Sequence, residues 1–122
     1  MLQNILIVED NPIIAFDTEE MLRELGACTI RIANGLEEAL EAIKECPPQL
    51  ALLDINLGSN TSYEIARRLM DLAIPFAFST GYREEDAFPA PFQAVPSLQK
   101  PYTADDLRSV MAGLQHRPAS SL

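Results

Sequence analysis

At 122 residues the chain is the size of one domain with a single core. Its net charge of −9 argues against nucleic acid, because binding a polyanion relies on Lys and Arg displacing counterions from phosphates. No apolar stretch approaches a membrane span and the N-terminus runs straight into a strand, so a soluble, cytoplasmic protein that meets other proteins is expected.

The first apolar run, Ile5-Leu6-Ile7-Val8, reads as a buried strand and ends in two acids, Glu9 and Asp10. Asn11-Pro12 then supplies a cap and first turn for a helix whose inner face carries Ile14, Thr18, Met21, Leu22 and Leu25, with Gly26 as its stop. Residues 28–33 form a second strand. A second helix begins near Asn34, presents Leu36, Ala39, Leu40 and Ile43, and halts at Pro47-Pro48. The third run, Leu50-Ala51-Leu52-Leu53, closes on Asp54. Ile65, Leu69 and Leu72 mark a third helix, and Phe76-Ala77-Phe78 leads into Ser79-Thr80-Gly81.

Beyond this point Arg83-Glu84-Glu85-Asp86 offers a helix start, but Pro89, Pro91 and Pro96 remove backbone donors and disfavour helix before each of them. A shortened or irregular fourth helix is expected. Phe88 and Phe92 in this stretch either form a partner-binding surface or pack on the core. A short segment ending at Leu98 leads into Lys100-Pro101, and Pro96 marks it as an edge strand, where a missing N–H is tolerated. Leu107, Val110, Met111 and Leu114 line a last helix, with Thr103 and Asp106 spaced as a capping box. Residues 1–116 are thus read as one domain and 117–122 as a flexible tail that favours a natural chain end. Cys28 and Cys46 are too few and too far apart for a zinc or redox motif, and both are expected to be buried or half-buried.

Strand and helix alternate throughout, which implies right-handed crossovers and a doubly wound, five-stranded parallel sheet of α/β class, in the flavodoxin-like order 2-1-3-4-5. In such sheets ligands bind outside the carboxyl ends of the strands, so Glu9, Asp10, Asp54, Thr80 and Lys100 should converge. Three crowded carboxylates repel, and a hard divalent ion relieves them. Mg²⁺ (or Mn²⁺) takes one or two carboxylates and commonly adds phosphate oxygens, so the missing ligand is a phosphoryl group, with Lys100 and Thr80 placed to meet its charge. Taken singly these residues have plainer explanations: a solvated acidic loop, an Asp turn, a Thr-Gly turn and a surface lysine. Their coincidence at four strand ends is what favours the functional reading.

The acid pair Glu9-Asp10, Asp54 ending the third strand, Thr80-Gly81 and Lys100-Pro101, in this order, resemble a receiver domain of two-component response regulators, the CheY-like superfamily, over about residues 3 to 116. The resemblance implies that Asp54 is the phosphoacceptor and that Glu9, Asp10 and Asp54 hold Mg²⁺ with the Asn56 backbone carbonyl. It also implies that Thr80 and Lys100 contact the phosphoryl group, and that Lys100-Pro101 is often cis. Pro75-Phe76-Ala77-Phe78-Ser79-Thr80-Gly81-Tyr82 and Leu98-Gln99-Lys100-Pro101-Tyr102 resemble the FAT GUY group, common in alphaproteobacteria and often without an output domain.

The chain departs from the usual receiver in two places. The loop Ile55-Asn56-Leu57-Gly58-Ser59-Asn60-Thr61-Ser62 lacks the usual Met-Pro and Asp-Gly signals, and Ser97 stands where most receivers carry a switching aromatic. Tyr82, two residues after Thr80, is the candidate to take over that role. The expected function is a bacterial, single-domain response regulator, not a metabolic enzyme. It would be a monomer, with association on phosphorylation, that accepts a phosphoryl group from a histidine kinase or phosphotransfer protein, assists its own phosphorylation and dephosphorylation, and switches contacts with a downstream protein. A phosphorylation-independent docking module is the runner-up. An aspartyl-nucleophile phosphohydrolase is disfavoured, because such enzymes need a second Asp two residues on and Asn56 cannot transfer a proton in its place.

Overall fold

Asn11 starts the first helix: its side-chain oxygen accepts from the Ile13 and Ile14 N–H groups at 3.0 and 3.4 Å, and Pro12 fills the first helical position, where no donor is needed. The helix stops at Gly26, whose φ of 103° is a left-handed conformation that suits glycine. At the other end of the chain the capping box forms in both directions. Asp106 N–H donates to Thr103 Oγ1 at 3.1 Å and Thr103 N–H to Asp106 Oδ2 at 2.9 Å, so the shorter Asp does the work of Glu.

The computed structural model describes residues 4–57, 60–81 and 89–115. The elements in chain order are β1 (Asn4–Val8), α1 (Pro12–Glu24), β2 (Thr29–Ala33), α2 (Leu36–Glu45), β3 (Leu50–Asp54), β4 (Asn56–Leu57), β5 (Asn60–Thr61), α3 (Tyr63–Asp71), β6 (Phe76–Thr80), a 3-10 turn (Ala90–Phe92), β7 (Ser97–Gln99) and α4 (Ala104–Gln115). The main sheet is wholly parallel, in the order β2-β1-β3-β6-β7, which is the expected flavodoxin-like order of its five strands. No helix among the described residues is long and apolar enough to cross a membrane.

Strand alternation divides the core in two. Leu6, Val8, Ala51, Leu53, Phe76 and Phe78 face α2 and α3, while Ile5, Ile7, Leu50, Leu52, Ala77 and Leu98 face α1 and α4. Each large side chain removed from water in this way contributes about 1.5–3 kcal/mol.

Several expectations need correction. Both cysteines are exposed: Cys28 precedes the edge strand β2 and Cys46 caps the end of α2, so neither occupies a core-facing position. Leu72 is exposed too, because α3 ends at Asp71 and the chain turns away through Ala73 at φ 58°. The second helix starts at Leu36 with Gly35 as its cap, and Asn34 N–H instead donates to Glu38 Oε1 at 2.7 Å. Of the irregular fourth helix, residues 82–88, Phe88 included, lie outside the described residues, and Ala90–Phe92 form a single 3-10 turn. Phe92 in that turn is buried, stacked on Tyr63 at 5.3 Å and edge-on to Phe78 at 5.8 Å, so it belongs to the core and not to a docking surface.

Candidate functional site

The alternation that splits the core also sorts the polar residues at the strand ends. Glu9 continues the set of Ile5 and Ile7, Asp54 that of Leu50 and Leu52, and Lys100 that of Leu98, all of the face covered by α1 and α4. Asp10 follows Val8, and Thr80 follows Phe76 and Phe78, from the opposite face. Asp10 meets the first set over the carboxyl edge of the sheet. Backbone bonds from Ile55 N–H to Ser79 O at 3.4 Å and from Lys100 N–H to Thr80 O at 2.8 Å tie the ends of β3, β6 and β7 together there.

Glu9, Asp10 and Asp54 each bring a carboxylate oxygen within 4.8 Å of the others. Glu9 and Asp54 are buried, whereas Asp10 is exposed. Lys100 Nζ lies 2.8 Å from Glu9 Oε1 and 3.3 Å from Asp54 Oδ1. The other Glu9 oxygen accepts from Asn11 N–H at 3.2 Å, so both oxygens of this acid are engaged. Burial, reinforced by the negative charge of Glu9, pushes Asp54 up to about 7 against the lowering pull of Lys100. For Lys100 burial works against the charge, but the hydrogen bond to Glu9 and the two carboxylates outweigh it and hold the ammonium above its ordinary value. An anionic cluster with one cation inside it is short of positive charge, which is the donor chemistry a hard divalent ion completes.

Thr80 is fully buried at the end of β6, and its hydroxyl has no hydrogen-bond partner among the described residues. Such an orphan costs about 1–3 kcal/mol, and sites where a ligand oxygen is expected are one place where it persists. Asn56 opens β4 two residues after Asp54, paired with Thr61 of β5. Tyr82 lies outside the described residues. The Lys100-Pro101 peptide is cis.

Two features went unread in the sequence. One is the β4-β5 hairpin, for which the signal was present: the Gly58-Ser59 pair between short polar-apolar segments is of the type that closes two-residue hairpins. Ile55 and Leu57 pack into the core beside it, and Ser62 N–H returns to Ile55 O at 2.9 Å, which closes the loop without the usual Met-Pro and Asp-Gly signals. The other is a bond between the Thr18 and Tyr102 hydroxyls, residues 84 apart, which no local pattern announces. Ile13 and Phe16 in the first turns of α1, three and six residues after Asp10, stand 72% and 57% exposed.

The sequence profile of the response regulator receiver domain matches residues 5–112. The chain is 33% identical over 110 residues to the transcriptional regulatory protein PdtaR of Mycobacterium tuberculosis, a match covering 86% of the chain and 53% of PdtaR, so it spans about half the length of that relative. It is 30% identical over 115 residues to sporulation initiation phosphotransferase F of Bacillus subtilis, covering 91% of the chain and 92% of that protein. In three dimensions it resembles the solution structure of SdrG from Sphingomonas melonis Fr1, with a TM-score of 0.82 at 35% identity, over 93% of the chain and 97% of SdrG.

Proposed function

This chain belongs to the response regulator receiver domain family, a signalling family of two-component systems, and on that premise we propose that it is a Mg²⁺-dependent phosphoacceptor switch whose acceptor is Asp54. The observation that carries the reading is the buried Asp54 carboxylate held between the acids Glu9 and Asp10 and the ammonium of Lys100. An Asp54 oxygen attacks the phosphorus of a phosphohistidine on a kinase or phosphotransfer protein. The P–N bond breaks, its electron pair leaves with the imidazole, which takes up a proton, and an acyl phosphate forms. Attack of water on that phosphorus later returns the carboxylate and inorganic phosphate.

Glu9, Asp10, Asp54 and the Asn56 carbonyl are the residues that would hold Mg²⁺, which when bound offsets negative charge on the phosphoryl oxygens. Glu9 is already bonded to Lys100 and Asn11, so Asp10 and Asp54 are the better placed direct ligands. Lys100 is drawn from Glu9 toward the new dianion, and the Thr80 hydroxyl gains a phosphoryl oxygen as its acceptor. That second movement pulls on Gly81 and the segment beyond it, Tyr82 included, and changes the surface offered to a downstream protein. Ile13 and Phe16 give the phosphodonor an apolar foothold beside the acceptor. A phosphohistidine donor of this kind implies a cytoplasmic protein.

Incubation with acetyl phosphate, with and without Mg²⁺, followed by intact mass, tests the assignment. The parent gains one phosphoryl mass only with Mg²⁺, and Asp54→Asn gains none. A stable acyl phosphate on Asp54→Asn refutes it.

A further inference from the structure

Lys100 stands at the end of β7, a three-residue edge strand bonded on one side only. Its last ladder bond is Lys100 N–H to Thr80 O, and the chain then leaves through Pro101, which donates no hydrogen bond. The residue whose ammonium pairs with both acids therefore follows directly on a short strand supported on one side only. Two residues on, the Tyr102 hydroxyl bonds to that of Thr18, which is 1% exposed in the middle of α1. Packing does not fix this loop alone. A cleft of about 340 Å³ separates it from α1, lined by Ile14, Asp17 and Met21 on the helix and by Lys100 and Pro101 on the loop, with the hydroxyl pair in its wall.

The same helix is tied to the acid side of the site, since Asn11, its cap, donates its N–H to Glu9. A closed circuit results: Glu9 to Lys100, along the chain to Tyr102, across to Thr18, back along α1 to Asn11, and again to Glu9. Because an α-helix is stiff over the roughly two turns from Asn11 to Thr18, α1 acts as a strut between the acids and the lysine. Burial also holds the Tyr102 phenol above its ordinary value.

We propose that Tyr102 is a positioning residue for phosphoryl transfer: its bond to Thr18 holds the loop that carries Lys100 at the spacing the acid cluster requires. The inference rests on the phosphoacceptor reading above, and the test separates the two. The chain has two lysines, Lys44 and Lys100, and Lys44 is exposed, so [¹⁵N]lysine labelling reports the Lys100 ammonium directly. In Mg²⁺-free parent the Lys100 ammonium signal should be sharp, protected from exchange by its two carboxylates. Tyr102→Phe, which keeps the ring, and Thr18→Val, which keeps the shape, should both broaden it and slow phosphorylation by acetyl phosphate by about tenfold.

The double variant should be no worse than either single one, and Thr18→Ser, which restores a hydroxyl, should recover both readouts. A lower melting temperature in Tyr102→Phe with an unchanged Lys100 signal and rate would make the bond merely structural and overturn the proposal. Additive losses in the double variant would overturn it as well. If the parent itself takes no phosphoryl group, the phosphoacceptor reading fails, while the ammonium signal, recorded without any phosphodonor, still decides whether Tyr102 positions Lys100.

Discussion

Lys100 is closer to Glu9 than to Asp54: its ammonium lies 2.8 Å from Glu9 Oε1 and 3.3 Å from Asp54 Oδ1. The lysine is thus shared between two buried acids, and that sharing governs how each variant of the site should behave.

Removing the lysine should be costly in the resting protein. Lys100→Ala leaves Glu9 and Asp54 buried without their cation, and we expect a stability loss of about 1–3 kcal/mol in Mg²⁺-free urea titrations at pH 7. Mg²⁺ should still bind and partly restore the stability, whereas beryllofluoride should no longer shift the spectrum. Equal beryllofluoride shifts in variant and parent would contradict the role given to Lys100.

Asp54 sets the pH dependence. Its carboxyl is raised from the unfolded value of 3.8 to about 7 in the folded protein, so the native state binds the proton more tightly than the unfolded chain. The stability this group contributes is therefore complete below about pH 4 and is lost as pH rises through about 7, a swing on the order of 2–4 kcal/mol. In chelator, the Asp54→Asn protein should lack this decline and be the more stable of the two at pH 8. Parallel stability curves for variant and parent between pH 4 and pH 8 would rule it out.

Asp10 is the exposed member of the acid cluster and makes no ion pair among those found in the described residues. Asp10→Ala should weaken Mg²⁺ binding by at least about tenfold while leaving the fold intact or slightly more stable, because one of three repelling charges is gone. An unchanged magnesium titration, followed by calorimetry, would remove Asp10 from the metal site.

Phe92 tests the region after β6. Truncating this buried, stacked ring to Ala should cost about 3 kcal/mol and release the contact with Tyr63, the first residue of α3. Hydrogen exchange with Mg²⁺ and beryllofluoride should change protection over residues 82–92 in the parent. No change there, alongside changed protection around Asp54, would dismiss the switching path through Thr80 and Gly81.

By itself the sequence determined the order of the five strands of the main sheet and the polar residues that follow or close four of them. Ile5-Leu6-Ile7-Val8 and Leu50-Ala51-Leu52-Leu53 are continuous apolar runs, as strands buried on both faces must be, and the caps at Asn11 and Thr103 are local hydrogen-bond chemistry that a few neighbouring residues specify. Which carboxylate meets which cation was a matter for tertiary structure. Glu9 and Lys100 are 91 positions apart in sequence, and their pairing depends on the twist and register of β1, β3, β6 and β7. The same holds for Thr18 and Tyr102, whose hydroxyls meet because α1 crosses the exit of the last strand. Cys28, Cys46 and Leu72 went the other way: an apolar residue at the end of an element has no partner face assigned to it, so its burial is decided by where the chain turns.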